Sequence, residues 1–172
     1  MRNNDLSDIA AQAECRRLLM VIHAQRRVQD AWFGCGDTAP LEFDENSAFA
    51  MGMTSLFRYA RGMAVPAPIV QSFRDELLKL LFCGLASNTI AMPSFRRMGD
   101  RPWAHALRLA ELRLAVEGEE EIELMGLSHL LGVSQDELRA RLAMPDLGPD
   151  DVVPPEALEV LSRALSDAPA DA

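Results

Sequence analysis

A chain of 172 residues, 49% hydrophobic and 25% charged, is long enough to bury a core and too apolar to remain unfolded. Aromatic side chains reach only 6%, against many Leu, Ala, Met and Arg, which argues for helices over a sheet. The net charge of −9 is unevenly placed: residues 1–115 carry 14 basic and 12 acidic groups, residues 116–172 three arginines against 14 acids. A surface for nucleic acid would therefore be expected in the front part.

The opening residues Met1 to Asp5 lack the apolar stretch of a signal peptide, and no apolar run is long enough to span a bilayer. Cys15, Cys35 and Cys83 are odd in number, widely spaced and without a CxxC pair. Free thiols in a cytoplasmic protein that engages no membrane are the expectation.

In chain order, Leu18, Val21, Ile22, Val28 and Trp32 recur at helical spacing, so a first helix is predicted from about Ser7 to Phe33, stopped by Gly34-Cys35-Gly36. Ser47 is a candidate N-cap for a second helix, whose stripe is Phe49, Met53, Leu56, Phe57 and Ala60, with Gly62 closing it. Pro66-Ala67-Pro68 forces a turn, and Pro68 suits a first helical position. Val70, Phe73, Leu77, Leu80 and Leu81 then mark a third helix. Residues 86–99 carry loop signals at Ser87-Asn88 and Pro93, although Thr89 to Met92 would also suit a short strand. Asp100 reads as the cap of a fourth helix bearing Trp103, Leu107, Ala110 and Leu114, with Gly118 as its stop. After the acidic run Glu119 to Glu123 come two short helices around Gly132, and Pro145 ends the second. Residues 146–155 read as a Pro/Asp/Gly linker, and Pro155 opens a last helix with Leu158, Val160, Leu161 and Leu165.

The stretch Leu127 to Leu142 carries the most specific pattern. Ser128 is small where two helices would cross, and Gly132 can take the positive φ of a sharp turn. Leu127, Leu131, Val133, Leu138 and Leu142 would form the seam, and Ser134-Gln135-Asp136-Glu137 reads as a capping box. With the preceding Trp103–Val116 helix as support, residues 103–144 resemble the helix-turn-helix family of DNA-binding transcriptional regulators, about a quarter of the chain. The resemblance implies a homodimer on double-stranded DNA, with Ser134 and Gln135 at the start of the reading helix and Arg139 and Arg141 on guanine or phosphate. Arg96 and Arg97, flanked by Ser and Pro, add a candidate phosphate contact.

The same segment departs from that family. It has no Lys, Asp136 and Glu137 stand where the reading helix would meet phosphates, and five acids lie between Glu117 and Glu123. An acidic surface of this kind also suits a basic protein partner, which makes a protein-interaction module (adaptor, anti-activator or inhibitor) the alternative. Nothing points to catalysis, a cofactor or a metal. His23, His105 and His129 are far apart, ligand spacings are missing, and Gly34-Cys35-Gly36 is no phosphate cradle. The expected architecture is all-α. It comprises an N-terminal helical bundle and dimerisation region over 1–100, a helix-turn-helix-like unit over 101–145, and an acidic linker and terminal helix over 146–172.

Overall fold

The computed structural model describes residues 8–20, 47–82 and 101–166. The protein is all-α. In chain order the helices are α1 (residues 8–20), α2 (Ala48–Ala60), α3 (Ala67–Phe82), α4 (Pro102–Val116), α5 (Leu124–Leu131), α6 (Gln135–Leu142) and α7 (Pro155–Ser166). Among the described residues the only β-type pairing is an isolated antiparallel bridge between Glu123 and Val152. The chain divides into two compact units, residues 1–90 and 91–172. No helix of the described residues is long and apolar enough to cross a membrane. Beyond residue 20, the expected first helix lies outside the described residues, as does the loop over 86–99; the cap of α4, expected at Asp100, falls on Arg101 instead, without a side-chain capping bond.

In the first unit α2 packs on α3. The Ser47 hydroxyl accepts from the Ala50 N–H at 3.2 Å, satisfying one of the first-turn donors that a helix leaves unpaired. Met53, Leu56 and Phe57 of the predicted stripe are buried, and Tyr59 joins them; Phe49 and Ala60 are half-buried. Gly52 permits the close approach of the two helices. A Cβ there would sit 2.1 Å from the ring of Phe73, which in turn packs edge-on to Phe49 at 5.4 Å. Arg58 ties α2 to α1 through a two-pronged ion pair with Asp8, at 3.0 and 2.6 Å, and this bond raises the guanidinium pKa. At Gly62, with φ of 81°, the chain takes the left-handed turn that ends α2.

The second unit is built around α4. Trp103, Ala104, Ala106, Leu107, Ala110, Leu112, Leu114 and Ala115 are all buried, so apolar surface is covered on most sides of this helix and not along one stripe. Its principal partner is α7, which buries Leu158 and Leu161. The sequence had assigned α4 to the support of the two short helices; in the structure it pairs chiefly with the last helix. Pro102 occupies the first turn of α4, and Gly118, with φ of 74°, ends it as the Glu119 N–H returns to the Leu114 carbonyl at 2.9 Å.

Candidate functional site

Helices α5 and α6 have only eight residues each, too short to hold their shape without tertiary support. Part of that support is apolar: Leu124, Leu127 and Leu130 of α5 and Leu138 of α6 are buried. Leu131, Val133 and Leu142, also expected in the seam, are only half-buried. The rest is polar. Gly132 sits at φ 68° and ψ 25°, the left-handed region the sequence required of it, and its N–H donates to the Ser128 carbonyl at 2.9 Å. Ser128 does more than leave room, because its hydroxyl donates to the Val133 carbonyl at 2.6 Å and closes the turn from the far side.

Ser134 caps α6, its hydroxyl accepting from the Glu137 N–H at 3.2 Å. The Glu137 carboxylate pairs with Arg141 one turn along, so it does not take up the reciprocal half of a capping box. Arg139 is held three times. Its Nε donates to the Leu147 carbonyl at 2.7 Å, Nη1 to Asp136 at 2.7 Å and Nη2 to the Gln135 side chain at 3.3 Å. Its side chain retains only 22% exposure. Ser134, Gln135, Arg139 and Arg141 are thus brought together on α6, and each is already engaged within that helix or with the loop after it. Arg96 and Arg97 lie outside the described residues.

The segment read from sequence as a linker carries structure of its own. The N–H groups of Leu124 and Met125, unpaired donors at the start of α5, reach the Asp151 and Pro149 carbonyls at 3.0 and 2.8 Å. The Val153 N–H donates to the Ile122 carbonyl at 2.9 Å, and Val153 itself is buried. Gly148 N–H donates to the Asp151 carboxylate at 2.6 Å, which folds the loop on itself. Residues 147–153 therefore form a strap joining the start of α5 to Arg139 on α6. Sequence reasoning missed this. The available signal was the apolar set Leu147, Val152 and Val153 inside an otherwise polar stretch.

The described part of this unit, residues 101–166, carries six arginines against 13 acids. Arg113, Arg139, Arg141 and Arg163 are each paired with an acid three or four residues away. No group of three His, Cys, Asp or Glu among the described residues could hold a metal ion. Cys15 is buried in α1, and burial pushes its thiol up to about 11, despite the opposing charge of Arg16. At neutral pH it is therefore a protonated core side chain and not a nucleophile. Cys35 and Cys83 lie outside the described residues.

No protein-family model, curated protein or solved structure matches the chain.

Proposed function

We propose that the protein works by binding a basic protein partner through the acidic surface of its C-terminal unit, as an adaptor, anti-activator or inhibitor. One observation carries this reading: the α6 arginines that would contact DNA are bound to acids of their own helix, and Arg139 also to the strap. Freeing them would cost those hydrogen bonds before any phosphate contact was made. The surrounding carboxylates would also repel the DNA backbone, where a DNA reader gains affinity by releasing counterions with Lys and Arg.

The second reading, a homodimeric helix-turn-helix regulator on double-stranded DNA, is favoured by the left-handed Gly132 and the Ser134-capped α6 behind it. The two readings part on a pair of titrations. A synthetic Lys-rich peptide should bind with an affinity that falls with salt, and Arg141→Ala, which leaves the Arg139 clamp in place, should leave that affinity unchanged or raised. Mixed-sequence duplex DNA should not bind even at low salt. Duplex binding that falls steeply with log salt and is weakened in Arg141→Ala would overturn the proposal in favour of the DNA regulator.

A further inference from the structure

Along the seam between the strap and α5, side chains alternate between inside and outside. Leu124 and Val153 are 0% and 1% exposed, whereas Met125 and Val152 are 41% and 44% exposed. The bonds from Val153 N–H to the Ile122 carbonyl and from Leu124 N–H to the Asp151 carbonyl frame Glu123 and Val152 as a non-hydrogen-bonded antiparallel pair. In such a pair the two side chains stand close together on one face, here the exposed one. Met125 follows two residues after Glu123 at the start of α5, its N–H bonded to the strap at Pro149. The next residue, Gly126, is exposed.

Charge is the second feature of this face. Elsewhere in the unit Glu117, Asp136, Glu137 and Glu159 are matched by arginines, whereas Glu119, Asp146 and Glu156 are exposed and carry no such pair. Glu121, Glu123 and Asp150 are exposed, and no described arginine or lysine pairs with them. Exposed apolar side chains on the same short segments as unmatched carboxylates are complementary to one kind of surface: apolar side chains flanked by Lys or Arg.

We infer that the outer face of the strap–α5 seam, with Met125 and Val152 as its apolar floor and Glu121, Glu123 and Asp150 as its rim, docks a basic amphipathic helix of a partner protein. This rests on the protein-partner reading above and gives it a surface and a partner chemistry. The partner's apolar stripe covers Met125 and Val152, and its flanking cations reach the carboxylates.

The test uses the full chain and two synthetic 18-residue peptides of Leu and Lys, one ordered as an amphipathic helix and one scrambled to the same composition, followed by fluorescence anisotropy. The ordered peptide should bind about tenfold more tightly than the scrambled one, and Met125→Ser with Val152→Ser should abolish that preference. Glu123→Gln with Asp150→Asn should weaken both peptides and flatten their salt dependence. Both variants replace exposed groups, and a thermal melt like that of the wild type establishes that they fold. A photo-crosslinking version of the ordered peptide, on the wild-type chain, should label residues 121–126 and 149–152. Equal binding of the two peptides, or labelling elsewhere, overturns the seam while leaving an acidic binding surface standing. Failure of both peptides, with duplex DNA bound instead, removes the parent reading as well.

Discussion

The helix pairs α2–α3 and α5–α6 are held together by different means. In the first, a stripe of large side chains, Met53, Leu56 and Phe57, is buried, and Gly52 lets α2 close on Phe73 of α3. In the second, helices of eight residues bury four leucines between them. They depend further on a left-handed turn, a serine cap, an arginine clamp and a strap that satisfies the first N–H groups of α5. Apolar burial fixes the first pair, and backbone satisfaction adds much of the definition of the second. The difference has a functional side. The second pair places its polar groups under internal demand, so the arginines of α6 that look available in sequence are committed, while carboxylates around it, Glu121, Glu123 and Asp146 among them, are left over.

The contrast breaks most visibly under a core truncation. Leu56 is fully buried in α2, and Leu56→Ala should cost about 2–5 kcal/mol, the lost transfer free energy together with the cavity left behind. Native-state hydrogen exchange should show protection falling in α2 and α3. A loss under about 1 kcal/mol would mean that the stripe is not what holds this pair.

A smaller effect is expected at the turn of the second pair. Gly132→Val places a β-branched side chain at φ 68°, where the strain is about 1–3 kcal/mol. Exchange should accelerate in α5 and α6 while α2 and α3 keep their protection. Unchanged exchange in α6 would show that the turn tolerates a side chain and that the strap and Arg139 suffice to hold the pair.

The same contrast explains what the sequence made legible. Period-3.6 stripes located α2, α3, α4 and α7, because burial of one or more faces leaves its mark residue by residue. Gly132 and Ser134 were legible because each meets a local demand, for a positive φ and for a cap. The strap was not. Its bonds run from backbone N–H to backbone carbonyl, which any residue supplies, so Pro149 and Asp151 carry no sign of accepting from α5. Arg139 was legible as a cation but not as a committed one, since its key acceptor is the Leu147 main chain. The pairing of α4 with α7 was hidden for another reason. Helix α4 is apolar on several faces, so its pattern does not say which neighbour takes which face.

The smallest expected effect is a gain, at the C-terminus of α6. Helices α2 and α4 end on Gly62 and Gly118 in the left-handed region, but α6 ends on Ala143 at φ 55° and ψ 36°, the one non-glycine residue with positive φ among those described. The Met144 N–H returns to the Arg139 carbonyl at 3.0 Å, the bond that such a turn exists to make. A Cβ in this conformation costs about 1–2 kcal/mol, whereas glycine loses about 0.5–1 kcal/mol more backbone entropy on folding. The first term exceeds the second, so Ala143→Gly should stabilise α6 by roughly 0.5 kcal/mol, read as slower exchange of the α6 amides. The substitution leaves the Arg139 clamp and the seam carboxylates in place, so binding of the Lys-rich peptide should not change. A destabilised α6 would mean that Ala143 earns its place through side-chain packing, and that the polar account of this helix pair is missing an apolar contact at its end.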